Sequence, residues 1–228
     1  SRDVNVRADA PDALAAWEAV SAAMGVPAAR LLRATQVHGC DVAVARRGEG
    51  ERQAGWGGHV PEGSAHFAAA GAQPTADVLV SNDPDVAITV RVADCVPLLI
   101  ADARLGVVAA VHAGWRGTAS GAVRAGVQAL AGEFGARPAD LHAAIGPCIG
   151  PDVYEVGEDV RAAFETAGYG AAALARWFRP GRRTRPHLDV WTANTDQLVD
   201  AGVPRGQVHC ARACTASHPA WFFSHRAQ

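Results

Sequence analysis

Three apolar runs in close succession, at residues 86–92, 96–101 and 107–112, constrain this chain more than any other feature. They are rich in Val and Ile and are separated by Asp, Pro and Gly, the pattern of strands buried on both faces. Residues 114–117 follow as a Gly-flanked turn, and Val123, Val127 and Leu130 then mark one face of a helix. An earlier helix is signalled by Pro11 and Asp12 in its opening turn, by Leu14, Trp17, Val20 and Met24 near helical spacing, and by Gly25 and Pro27 as stops. Further helices are expected over 156–167, with Val160 and Phe164, and over 192–201, with Leu198. Residues 31–45 read as extended chain, and residues 46–75 as a long surface loop carrying Trp56, His59 and His66. Strands and helices mix without regular alternation, so an α+β fold is expected rather than a doubly wound one. No internal repeat and no linker divides the 228 residues, so a single domain is expected.

Charge and composition narrow the partners. A formal net charge of -2 supplies no basic footprint for general nucleic-acid binding, so small molecules are expected instead. All 21 basic residues are Arg, and without Lys the chain can neither form a Schiff base nor complete a P-loop. The 5 Cys are odd in number and irregularly spaced, with no secretory segment in view, so reduced thiols and a cytoplasmic location are expected. No apolar run approaches the ~20 residues that span a bilayer, and no membrane partner is expected.

Chemistry concentrates at strand ends. His38 closes Thr-Gln-Val-His and is followed by Gly39, a place where a side chain is presented at a rim. Cys95 stands between two of the apolar runs, preceded by Asp94 and followed two residues on by Pro97. His112 ends the third run and enters Ala113-Gly114-Trp115-Arg116-Gly117, where glycines allow tight turns and close approach. Two neutral imidazoles and a thiolate suit zinc, and three protein ligands leave a fourth position for water or substrate. Such a site would lower the pKa of water from ~15.7 to about 7. Spacing alone does not bring the three together, since no short motif of the His-Glu-x-x-His kind joins them. Arg116 offers a planar guanidinium to phosphate or carboxylate, or else a salt bridge within its turn. Asp94 offers a general base, a substrate contact or an acceptor for a ligating His. If residues 92–95 are extended, Asp94 and Cys95 point to opposite faces. Cys210 and Cys214, with His209 and His218, match no common zinc module and read as core or incidental. Cys148, in a Gly and Pro loop, reads as packing.

Several segments together resemble one family, the bacterial YfiH-like proteins, also called laccase-domain or polyphenol oxidase-like proteins and regarded as purine nucleoside phosphorylases. The matching stretches are Gln36-Val37-His38-Gly39, Ala93-Asp94-Cys95-Val96-Pro97-Leu98, residues 108–117 (VAAVHAGWRG) and residues 144–157 (AIGPCIGPDVYEVG). Leu188-Asp189-Val190 with Ala193-Asn194, and Cys214-Thr215 followed by Phe222-Phe223-Ser224, extend the match in order over nearly the whole chain.

The resemblance implies that His38, Cys95 and His112 form a metal-binding active site. It implies an α+β fold of packed mixed sheets with helices on the outer faces, in α/β/β/α layers. The implied activity is phosphorolysis of adenosine, inosine, guanosine or methylthioadenosine to free base and ribose 1-phosphate, together with deamination of adenosine. Zinc is the implied cofactor, with copper as the older family name suggests, and purine nucleoside and phosphate are the implied partners. Relatives usually begin with a strand and a Gly-Gly loop ahead of Ser1, and end in Phe-Phe-Ser-Tyr-Arg-Arg and a further strand. Here His225 stands in place of the Tyr, and the single domain over 1–228 is expected to lack those terminal strands.

Three other readings stay open on the residues. Cys95 could be the nucleophile of a hydrolase with His112 or His38 as base. A copper-dependent phenol oxidase is disfavoured because 9 dispersed His do not form the dense clusters that multicopper sites need. A closed structural zinc site in a non-enzymatic protein would need a fourth ligand, for which His225 or His209 is available.

Overall fold

The structure, a computed structural model, describes residues 13–48, 65–66, 73–181 and 185–228. Helix α1 spans Ala13–Met24 and ends at Gly25, whose φ of 66° supplies the left-handed stop read from the sequence. Pro11 and Asp12 lie outside the described residues. Strands β1 (Leu31–Leu32), β2 (Val42–Ala45), β3 (Ala65–His66), β4 (Val78–Ser81), β5 (Ala87–Ile88), β6 (Val96–Asp102) and β7 (Val107–Ala113) follow. Then come α2 (Trp115–Ser120), α3 (Ala122–Phe134), β8 (His142–Ile145), α4 (Glu158–Thr166), α5 (Ala171–Trp177), β9 (Phe178–Arg179), β10 (His187–Leu188), α6 (Val190–Asp200) and β11 (Val208–Cys210).

The centre is a mixed seven-stranded sheet in the order β11-β8-β6-β7-β4-β2-β3. Antiparallel pairing runs from β8 through β6 and β7 to β4, with parallel pairs at both flanks. Alternation along the strands sorts side chains between two faces. Val96, Leu98 and Ile100 on β6, Val107, Ala109 and Val111 on β7, and Val78 and Val80 on β4 pack with Val123, Val127 and Leu130 of α3. The same cluster takes in Val160 and Phe164 of α4, Trp177 of α5 and Leu198 of α6, so the helices cover this face. On the other face Ala43, Ala45 and Leu79 pack with Leu32, Val86, Ile88 and Val90, so the two-stranded ribbon of β1 and β5 lies against β2 and β4. The α+β architecture, with outer helices and packed strand layers, is the one expected.

Four local readings change. Residues 78–81, not singled out in the sequence, form the interior strand β4, whereas the run at 86–92 contributes only Ala87 and Ile88 to a strand. A short apolar segment makes a long strand only where a neighbour supplies a ladder, and β4 has β2 and β7 on its two sides. Within the expected loop at 46–75, Ala65 and His66 pair parallel with β2, while Trp56 and His59 lie outside the described residues. Residues 114–117 open α2 rather than forming a free turn, with Gly114 as its N-cap and Gly117 inside it. Residues 92–95 are not extended throughout, because Asp94 takes φ 85°.

Candidate metal centre

Strand register builds one wall of the site. Val78 pairs with Val111, and the His112 amide donates to the Asp77 carbonyl at 2.8 Å, so Asp77 and His112 are cross-strand neighbours on the face away from the helices. His112 is buried, and its Nδ1 lies 2.7 Å from Asp77 Oδ1. The remaining ring nitrogen, Nε2, is the one free to ligate.

His38 arrives from the segment between β1 and β2. The Gln36 side chain holds that segment in place, donating to the Arg91 carbonyl at 2.9 Å and accepting from its amide at 2.7 Å. His38 has φ 64°, a left-handed conformation that costs a non-glycine residue on the order of 1–3 kcal/mol. Hydrogen bonds from the Val37, His38 and Gly39 amides to the Asp77 carboxylate, at 3.1, 3.0 and 2.7 Å, offset it. The His38 and His112 rings meet edge to face with centroids 4.9 Å apart.

Cys95 follows a second left-handed residue, Asp94, whose backbone and side chain are both fastened. The Asp94 carbonyl accepts from Ile149 N–H at 2.9 Å, and its carboxylate accepts from Thr215 Oγ1 at 2.6 Å and Arg226 N–H at 2.7 Å. Thus the Gly and Pro loop at 146–151 and the Cys214-Thr215 element both support the cysteine turn. Asp94 is 9% exposed and both its oxygens have donors.

His38, Cys95 and His112 therefore converge, with one ligand atom from each lying within 4.8 Å of the others. His38 is exposed, Cys95 half-buried and His112 buried, so the group opens to solvent on the His38 side. Among the described residues neither His209 nor His225 joins it. Burial, with the charges of Asp94 and Asp77, pushes the Cys95 thiol up to about 11, the opposite of what a free nucleophilic cysteine requires. Burial also lowers His38, helped by His112 and Arg116 against the opposing pull of Asp77. At Asp77 burial disfavours the charge, but hydrogen bonds from His112, Gly39 and Val37 outweigh it and hold the carboxyl below its ordinary range. Two imidazoles with free lone pairs and a thiol that needs a cation to ionise are a donor set that fits zinc or copper.

Arg116 is exposed at the start of α2, its guanidinium 4.3 Å from the Trp115 ring centre. Cys148 is fully buried and accepts from Trp191 Nε1 at 2.9 Å, a packing role as read from the sequence. Cys214 is buried behind the Asp94 turn and accepts from Gly150 N–H at 3.2 Å. Sequence reasoning missed Asp77. An acidic residue directly before an apolar run is the same signal that singled out His112 directly after one.

Known proteins share this framework. The family described as "Multi-copper polyphenol oxidoreductase laccase" matches residues 3–228. A purine nucleoside phosphorylase of Bacteroides thetaiotaomicron is 41% identical over 150 residues, covering 66% of this chain and 55% of that protein. One from Deinococcus radiodurans is 37% identical over 221 residues, covering 96% of this chain and 74% of its own length. Adenosine deaminase RL5, from an unknown prokaryotic organism, is 36% identical over 150 residues, covering 66% of this chain and 56% of that protein. The chain thus spans just over half the length of the first of these relatives. Among solved structures, the YfiH protein of Bacillus licheniformis superposes with TM-score 0.82 at 25% identity, covering 98% of this chain and 80% of that one. Among the described residues, no helix is long and apolar enough to cross a membrane.

Proposed function

Because this chain belongs to the YfiH-like, laccase-domain family, we propose that it is a zinc-dependent purine nucleoside phosphorylase that also deaminates adenosine. The observation that carries the reading is the convergence of His38, Cys95 and His112 within 4.8 Å, open to solvent on one side. A zinc ion held by these three would supply Lewis-acid polarisation and water activation at neutral pH.

The chain's own residues set the rest. In phosphorolysis the bond between the purine nitrogen and ribose C1′ breaks and a bond from a phosphate oxygen to C1′ forms, so phosphate must be held beside the sugar. Arg116, exposed on the rim and tethered over Trp115, is the anion contact. Asp94, expected as a substrate contact, also supports Cys95: its carboxylate accepts from Thr215 and Arg226 N–H, which fastens the turn that carries the sulfur. In deamination water adds at C6 of adenosine and ammonia leaves.

The substrate class is adenosine, inosine, guanosine and methylthioadenosine, after the names carried by the relatives and the resemblance described above. A cysteine hydrolase is disfavoured because burial, with Asp94 and Asp77 nearby, disfavours a free Cys95 thiolate. Zinc-loaded protein incubated with inosine and phosphate should yield hypoxanthine and ribose 1-phosphate on chromatography. No hypoxanthine above a Cys95→Ala control would sink the assignment, and phenol oxidation that tracks copper content and survives that substitution would favour the copper reading.

A further inference from the structure

Asp77 stands immediately before β4 and is 0% exposed, so its own atoms are closed to a substrate. Its carboxylate nevertheless has four nitrogen partners, two on each oxygen. Oδ1 accepts from His38 N–H at 3.0 Å and lies 2.7 Å from His112 Nδ1, and Oδ2 accepts from Val37 N–H at 3.1 Å and Gly39 N–H at 2.7 Å. An ionised carboxylate offers about four lone-pair sites and no donor. Every site is filled, and every partner must donate.

That arithmetic has a chemical consequence at His112. A neutral imidazole carries one proton, and facing an oxygen that can only accept, the ring places it on Nδ1. The Nε2 lone pair is then directed to the converging atoms of His38 and Cys95. Meanwhile three consecutive amides on the same carboxylate hold His38 in its left-handed conformation. We propose that Asp77 is the positioning residue of the centre: one buried carboxylate selects the tautomer of His112 and fixes the backbone of His38, so that both imidazoles present a lone pair to the same cation. The inference rests on the reading of the triad as a metal site.

Asparagine is nearly the same shape and separates the roles. Its amide nitrogen would either oppose the Val37 and Gly39 N–H groups, donor against donor, or face His112 Nδ1. In the second case His112 must accept there, its proton moves to Nε2, and the lone pair needed by the cation is lost. Outer hydrogen-bond partners of metal-bound His commonly contribute about 10–100-fold in metal affinity.

Two measurements test this without reference to turnover. In metal-free wild-type protein at a pH where the ring is neutral, long-range ¹⁵N–¹H correlation spectra should show His112 as the Nδ1–H tautomer, with its signals identified by their loss in His112→Gln. An Nε2–H tautomer overturns the proposal, and this arm needs no substitution at Asp77. In the second arm, competition with a chromophoric chelator should show zinc bound about 10–100-fold more weakly by Asp77→Asn than by wild type. Phe164→Ala, which loosens the core remote from the site, should keep its zinc affinity. A folded Asp77→Asn protein that binds zinc within about twofold of wild type overturns the positioning role. Because both arms read proton location and zinc affinity, failed phosphorolysis would leave them standing, and their failure would leave the activity assay untouched.

Discussion

Gly114 lies so close to Cys95 that a Cβ on it would stand 2.8 Å from the Cys95 sulfur and 3.0 Å from Cδ2 of His38. Its backbone is ordinary extended chain, φ -68° and ψ 178°, so glycine is needed here for space and not for conformation. A cysteine sulfur at the end of a short side chain can rotate away from such an intruder, but only by leaving the position from which it ligates. Gly114→Ala should therefore fold and lose the centre. The expected result is a cooperative melt near wild type, since the added methyl also restricts the unfolded chain, with zinc affinity reduced about tenfold or more. Full zinc stoichiometry at wild-type affinity would show that the cysteine is not held where the structure puts it.

Arg116 separates substrate binding from metal binding. It is exposed, contacts the Trp115 face, and belongs to no ligand set. Arg116→Ala should leave zinc content unchanged and raise the KM for phosphate about tenfold, equivalent to roughly 1.4 kcal/mol for one charged hydrogen bond. Steady-state phosphorolysis with phosphate as the varied substrate reads this directly, and an unchanged KM removes Arg116 from the phosphate site.

The helical layer has its own keystone. Phe164 is fully buried, with ring centroids 5.6 Å from Tyr169, 6.0 Å from Trp177 and 5.4 Å from Phe178. Phe164→Ala removes a large side chain from a packed aromatic cluster and should cost about 3–5 kcal/mol. Urea unfolding should show that loss as a lower midpoint at an unchanged slope.

Both tyrosines of the chain should titrate above the ordinary phenol range. Burial pushes Tyr154 up to about 12, with Cys95 and Asp94 adding to the shift and Arg226 and Arg116 opposing it, and burial likewise raises Tyr169. A raised phenol pKa means the fold favours the neutral form. That stability is complete below pH ~10, where the unfolded chain is also neutral, and is lost as pH rises through about 12. Phenolate absorbance near 295 nm should rise later than for a free phenol, and its Tyr154 part should appear only near pH 12, together with loss of the far-ultraviolet circular dichroism. A clean transition near pH ~10 in folded protein would contradict the burial.

Much of the site was legible as letters. His38, Cys95 and His112 stand where strands end, and the family resemblance implied that they share a metal, although their spacing alone did not bring them together. The α+β class followed from strands and helices mixed without alternation. The reading failed where a segment depended on its neighbours. Residues 78–81 were not singled out as a strand, yet they lie inside the sheet because β2 and β7 flank them. Gly114 and Gly117 looked like a turn, but Gly117 is a contact surface, where an added Cβ would come to 3.1 Å from the Gly39 carbonyl oxygen.

What the sequence by itself determined was the supply of parts: irregularly spaced cysteines, no lysine chemistry, two imidazoles and a sulfur at strand ends, and apolar periodicity enough for a sheet covered by helices. Only the tertiary structure decided that these parts meet. The register that sets Val78 opposite Val111 carries Asp77 to the side of His112, and a slip of one residue would send that carboxylate into the helical core instead. Pairing across the sheet is set by the sum of many long-range contacts, and no local stretch of the chain contains that information.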